Sequence, residues 1–283
     1  MAQILRILSY MHNRFLIFSD LDGTLLHHDT YDWSPAAPMI SEIKKQGHIL
    51  VLNSSKTLAE MIQLADDMQL TYPLVIENGA AIAIPTSFST SPPAGLRCSD
   101  TVGEYRLYPM GTPRKELLPI LAEMRSEGYQ FEGFADWSDQ QIAEATGLPL
   151  DRARLAGQRF GTEPLLWRGD EASFQSFKAE LESRNLRVLK GGRFSHISGK
   201  FDKADGLAAL LNHAKQDDSS SNWKTIALGD SQNDQAMLNA ADIAVVLPNH
   251  SGDTIQVDND CLYTPSKPSS EGWNDALAQI LLT

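Results

Sequence analysis

Four apolar residues, Phe15 to Phe18, run directly into Ser19-Asp20-Leu21-Asp22-Gly23-Thr24. A short uninterrupted apolar run is the pattern of a strand buried on both faces. Two carboxylates at i and i+2 beside such a strand are costly, because like charges this close repel and raise each other's pKa. A bound cation removes that cost, and hard divalent cations prefer oxygen ligands. Gly23 lets the backbone turn sharply straight after the pair. Taken alone, the stretch is equally a strand followed by a polar turn that holds two aspartates.

The rest of the chain supplies strands and helices in alternation. Helical spacing of Met39, Ile40 and Ile43 predicts a helix over Ala37 to Gln46, with Gly47 as its stop. A buried strand, Ile49 to Leu52, leads through Asn53-Ser54-Ser55-Lys56-Thr57 into a helix from Leu58 to Met68. A strand at Leu74 to Ile76 precedes Glu77-Asn78-Gly79-Ala80, which is first of all a turn. Near the end, a strand at Thr225 to Leu228, Gly229-Asp230-Ser231-Gln232-Asn233-Asp234, a helix at Gln235 to Ala240 and a strand at Ile243 to Leu247 repeat the alternation, and a final helix covers Asn274 to Leu282. The fold class is therefore α/β, with a doubly wound parallel sheet. Ligands of such sheets sit outside the carboxyl ends of the strands, where the polar clusters at Asp20, Ser54 and Asp230 fall. Ser54 fits a helix N-cap as well as an anion-binding hydroxyl. Asp230 and Asp234 fit an acidic helix N-terminus as well as a metal site.

Between these halves lies an inserted smaller α/β unit, residues 85–189. It begins with a Ser/Thr/Pro-rich loop, Thr86 to Gly95. Strands are expected near Tyr105 to Tyr108, Tyr129 to Phe134, Pro164 to Trp167 and Leu186 to Leu189. Helices are expected over Thr112 to Ser126, Asp139 to Thr146 and Glu171 to Ser183, with an irregular part at Asp151 to Arg159. The expected domains are 1–84 with 190–283, and 85–189.

Charge narrows the function. The 283 residues carry 24 Lys and Arg against 36 Asp and Glu, a net charge of -12. That argues against nucleic acid as a partner and against a polybasic membrane anchor. Cys98 and Cys261 have no metal-ligand spacing, and a reducing cytoplasm is the expected setting. His27 and His28 have nothing nearby to complete a nitrogen-ligand site and are read as solvated. Residues 1–10 are apolar but too short to span a bilayer and lack a secretory cleavage pattern. Met11 is an expected alternative start.

FLIFSDLDGTLL, Phe15 to Leu26, resembles motif I of the haloacid dehalogenase-like (HAD) hydrolases. That resemblance implies that Asp20 is the nucleophile and Asp22 the general acid/base. Ser54 is the motif II hydroxyl that binds phosphoryl oxygens, with Ser55 as fallback. Lys203 is the motif III ammonium, with Lys200 as competitor. GDSQND resembles motif IV, in which Asp230 and Asp234 hold magnesium (Mg2+) together with Asp20 and Asp22. The insertion between motifs II and III resembles the C2-type cap domain, which reads the non-reacting part of the substrate. ENGA resembles the Cof-like branch, which places Asn78 near the substrate pocket. Arg193 is an expected substrate contact on its planar fork, as is Asn233, and His196 is read as structural.

The strings DLDGTLLHHDTYDW, VLNSSKT, IENGAAI, TEPLLW, GGRFSHISGKFDKADG and EGWNDAL narrow the resemblance to the mannosyl-3-phosphoglycerate phosphatase family. This implies a phosphorylated sugar-acid substrate, mannosyl- or glucosyl-3-phosphoglycerate, and a setting in mannosylglycerate biosynthesis. A phosphatase or phosphomutase for another sugar phosphate, and a catalytically retired sugar-phosphate-binding regulator, are the alternatives.

Overall fold

The computed structural model describes residues 13–282, apart from 90, 191–192, 250–251 and 253–254. The alternative start at Met11 lies outside the described residues. The described residues form thirteen strands: β1 (Asn13–Ser19), β2 (Ile49–Asn53), β3 (Leu74–Ile76), β4 (Ala81–Pro85), β5 (Asp100–Val102), β6 (Tyr105–Pro109), β7 (Phe131–Gly133), β8 (Thr162–Trp167), β9 (Leu186–Lys190), β10 (Ser195–Gly199), β11 (Asn222–Gly229), β12 (Ile243–Val246) and β13 (Leu262–Tyr263). They belong to two compact units. One comprises residues 13–54, 87–96 and 203–282, the other 55–86 and 97–202. The second unit thus takes in residues 55–84, which the sequence places with the first.

In the first unit the strands run parallel in the order β13-β12-β11-β1-β2. Such a sheet needs cover on both faces. The helix Ser269–Leu281 packs against Ala37–Lys45, and Lys203–Asp217 packs against Gln235–Ala240. Ile17 and Phe18 of β1 are fully buried, each worth roughly 1.5–3 kcal/mol relative to exposure. This is the α/β sheet that the apolar runs predict.

The second unit is antiparallel throughout. β3 pairs with β4, β4 with β6, and β6 with β5, while β7-β8-β10-β9 form a separate sheet. Leu117 and Leu121 from the helix Arg114–Ser126, and Phe174, Phe177 and Leu181 from the helix Glu171–Ser183, pack onto that sheet in one core. The expected irregular part holds a helix, Leu150–Ala156. Asp151, Arg152 and Arg154 give it the look of a loop, but its periodicity buries Ala153 and Ala156.

After β3 the backbone enters the left-handed region at three successive residues, Glu77 (φ 50), Asn78 (φ 59) and Gly79 (φ 101). The buried Glu77 carboxylate accepts from Phe160 N at 2.5 Å, Gly161 N at 3.2 Å and Thr162 Oγ1 at 2.5 Å. These bonds offset a conformation that non-glycine residues rarely adopt.

Candidate active site

Three loops at the carboxyl ends of β1, β2 and β11 bring the chemistry together in the first unit. Parallel pairing aligns β1 between β2 and β11, with Ser19 level with Leu52 and with Leu228. Asp20 therefore leaves the sheet beside the ends of its neighbours, and its N–H donates to Leu228 O at 3.0 Å. Gly23 turns the chain at φ +80, and a Cβ there would lie 2.5 Å from Asp230 Oδ2. Only glycine lets the first loop approach the third this closely. Asp22 is half-buried two residues from Asp20, and Ser54 is buried just after β2.

Lys203 opens the helix Lys203–Asp217 and is fully buried, so it is not the solvated lysine usual at a helix start. Its ammonium donates to Asp20 Oδ1 and Asp234 Oδ1, each at 2.6 Å. Burial alone pulls this ammonium's pKa down, but the two carboxylates outweigh it and hold the group charged, above the ordinary lysine value. The competitor Lys200 is exposed. Asn53 Nδ2 donates to Lys203 O at 3.0 Å and fixes the start of the helix.

Asp20, Asp230 and Asp234 are buried with carboxylate oxygens within 4.8 Å of one another. Burial pushes Asp20 up to about 7, with Asp234 and Asp22 adding repulsion and Lys203 opposing. Asp230 rises to about 6, first through burial and then through Asp234. One ammonium does not neutralise three acids, and an all-oxygen donor set of this kind suits a hard divalent cation. The arrangement therefore fits magnesium. Within the cluster, Asp234 Oδ1 holds Lys203 while its Oδ2 accepts from Asp230 N and Ser231 N, both at 3.1 Å.

A family model of haloacid dehalogenase-like hydrolases matches residues 17–90 and 160–262. The chain belongs to that family. It is a phosphoric monoester hydrolase, as are two relatives that it matches nearly end to end. The glucosyl-3-phosphoglycerate/mannosyl-3-phosphoglycerate phosphatase of Persephonella marina is 31% identical over 266 residues, 94% of this chain and 97% of the relative. The protein of the same name from Methanococcoides burtonii is 32% identical over 274 residues, 95% and 97% of the two chains. Among solved structures, a HAD phosphatase from Bacteroides thetaiotaomicron superposes with a TM-score of 0.65 at 16% identity, covering 96% of this chain and 97% of that one. A Thermoplasma acidophilum protein does so with 0.64 at 17%, covering 96% and 100%. These two similarities speak for the shared fold.

The other expected residues of this HAD-like hydrolase fall in both units. Asn233 is exposed on the Gln232–Asp234 turn. Asn78 and Arg193 lie in the second unit. Arg193 is exposed, and its guanidinium donates to Ala145 O. His27 and His28 are exposed, and His27 Nδ1 accepts from Asp29 N at 3.2 Å. The helix after Ser54 is capped by Thr57, not Ser54: Thr57 Oγ1 accepts from Glu60 N at 3.3 Å, and Glu60 reaches back to Thr57 N at 2.9 Å. The capping-box spacing of Thr57 and Glu60 was visible in sequence. Three supporting residues were not anticipated: Asn53, Asn249, whose Nδ2 donates to Asp230 O at 2.8 Å, and Trp273, buried in the final helix. For Trp273, the one aromatic residue in PSSEGWNDAL was the available signal.

Proposed function

We propose that this hydrolase is a magnesium-dependent phosphatase that converts glucosyl- or mannosyl-3-phosphoglycerate to the glycosylglycerate and phosphate. The observation that carries the reading is the buried cluster in which Lys203 bridges Asp20 and Asp234 beside Asp230. The relatives' names supply the substrate.

In this reading Asp20, Asp230 and the backbone carbonyl of Asp22 would hold the ion, with Asp234 supporting the site by fixing Lys203. Bound there, magnesium supplies positive charge to the transferring phosphoryl oxygens and lowers the cost of the crowded carboxylates. Asp20 attacks phosphorus as the bond to the sugar-acid oxygen breaks, giving an aspartyl-phosphate. Asp22 gives its proton to the leaving oxygen. It then takes one from the water that attacks the phosphorus, which releases phosphate and restores the Asp20 carboxylate. Ser54 and Lys203 bind the oxygens on which charge accumulates. Residues 85–189 act as the cap that reads the rest of the substrate.

No helix among the described residues is long and apolar enough to cross a membrane. Cys98 and Cys261 are free, which favours the cytoplasm as the setting of this reading. Phosphate release with and without magnesium tests it, on glucosyl- and mannosyl-3-phosphoglycerate, sucrose and trehalose phosphates, and simple hexose phosphates. Preference for a glycosyl-phosphoglycerate is expected. Equal activity on simple hexose phosphates removes the substrate assignment, and no release from any of them removes the phosphatase.

A further inference from the structure

An open pocket of about 380 Å³ lies within the first unit, at the edge of the sheet that carries the acid cluster. Its walls include Gly23, His27 and Asp29 from the loop after β1, Asn249 from the loop after β12, and Ser269 at the start of the final helix. Gly23 directly follows Asp22, and its backbone lies so near Asp230 that a Cβ would meet Oδ2 at 2.5 Å. Asn249 Nδ2 donates to Asp230 O at 2.8 Å. Two walls of the pocket therefore stand against Asp230, and a ligand held by the cluster has this pocket beside it.

Three polar groups of these walls are left over by the fold. Ser269 is only 5% exposed, yet its hydroxyl makes no hydrogen bond among the described residues. A buried hydroxyl without a partner is costly. His27 Nδ1 accepts from Asp29 N at 3.2 Å and from Thr30 N at 3.4 Å, so the donor of its ring is Nε2–H. That donor has no acceptor among the described residues, and the Asp29 carboxylate there neither accepts a hydrogen bond nor joins an ion pair. His27 and Asp29 are exposed, so only water competes for them. The loop that carries both is fixed before any ligand arrives. His27 N donates to Asp32 O at 3.0 Å and Tyr31 N to His27 O at 2.9 Å, while Ser270 Oγ donates to the same Asp32 carbonyl at 3.3 Å and pins the loop to the final helix. Such preorganisation lowers the cost of binding.

Chemistry and size select the occupant. A donor N–H, an acceptor carboxylate and a hydroxyl that does both match neighbouring hydroxyls of a ligand, each of which donates and accepts. No Lys or Arg among the described residues lines the pocket, and Asp29 brings negative charge, which disfavours a carboxylate or a phosphate there. A volume of about 380 Å³ falls within the range of small-molecule sites, roughly 300–1,000 Å³. We propose that this pocket is a hexose subsite, in which Asp29, His27 and Ser269 bind hydroxyls of the substrate's sugar. The assignment rests on the glycosyl-3-phosphoglycerate reading above. It gives the first unit a share in recognising the sugar, in addition to the cap.

The test uses the full-length protein in two independent arms. In the first, kcat/KM is measured for glucosyl- and mannosyl-3-phosphoglycerate and for 3-phosphoglycerate, which lacks the sugar. The native enzyme is expected to prefer the glycosylated substrates. Asp29→Ala is expected to lower that preference about 10-fold, the worth of a hydrogen bond to a charged group, and Ser269→Ala about 3-fold. A preference unchanged in both variants overturns the subsite.

In the second arm, saturation-transfer NMR follows the binding of methyl glucoside and methyl mannoside to the native protein and to both variants, with D-glycerate as competitor, and needs no turnover. Binding of a methyl glycoside that weakens in Asp29→Ala supports the proposal. Absence of glycoside binding to the native protein, binding undiminished in both variants, or displacement of the glycoside by glycerate overturns it. Should no phosphomonoester be hydrolysed, the phosphatase reading fails while the NMR arm still decides the pocket.

Discussion

Trp273 Nε1 donates to Ser19 Oγ at 2.9 Å, and that hydroxyl donates to the backbone carbonyl of Asp20 at 2.7 Å. The final helix thereby reaches Ser19 and fixes the backbone from which the Asp20 carboxylate projects. Both members of the pair are fully buried. Trp273→Phe leaves the apolar body and removes the donor. A loss of about 1–3 kcal/mol in stability is expected, with kcat reduced several-fold and KM little changed. Urea unfolding and steady-state kinetics check this, and an unchanged kcat in a folded variant would show that the contact is only structural.

Asp20→Asn keeps the volume of the side chain and removes the carboxylate proposed as the nucleophile. Turnover is expected to fall at least about 10³-fold, with the circular dichroism spectrum unchanged. Phosphate release close to the native rate would contradict the nucleophile's assignment to Asp20.

Lys203→Met leaves Asp20 and Asp234 buried without the ammonium that now lies 2.6 Å from each. Breaking a buried pair from one side costs about 3–5 kcal/mol. Magnesium is expected to restore part of that stability, since it supplies the missing charge. Lys200→Met, at an exposed position, is expected to stay within about 0.5 kcal/mol of native. Denaturant midpoints with and without magnesium rank the two, and the reverse ranking would move the motif III role to Lys200.

His196, expected from the sequence to be structural, gives a pH dependence with a defined sign. His196 titrates near 4 in the native protein against an ordinary 6.5. Between those values the unfolded chain binds a proton that the native one does not. The stability linked to His196 is therefore complete above about 6.5 and lost as pH falls towards 4, on the order of 2 kcal/mol after allowance for its partial exposure. His196→Asn is expected to flatten this part of the profile. Unfolding midpoints at pH 4.5 and pH 7 measure it, and an equal slope in both proteins refutes it.

What could be read from the sequence follows from how local each signal is. Asp20, Asp22 and Gly23 sit in one unbroken string after an apolar strand, and Gly229 to Asp234 repeats that grammar, so both were legible residue by residue. Lys203 needed the family pattern, because its burial comes from acids 183 and 31 positions away. Arg159 and Arg187 gave no sign of their placement, since Arg159 precedes β8 and Arg187 lies on β9, two strands joined through β10 by antiparallel pairing that no short window encodes. The antiparallel β3-β4-β6-β5 arrangement was likewise hidden, because β5 is three exposed residues, Asp100–Val102, with no apolar pattern.

The Glu77 contacts also set an order of events during synthesis. The turn through Glu77, Asn78 and Gly79 is unfavourable until Phe160, Gly161 and Thr162 supply its three donors. A ribosome must therefore translate more than eighty further codons before this turn can be secured. Nascent chains ending before residue 160 carry that loop unlatched, and the second unit is completed only when its later half has emerged.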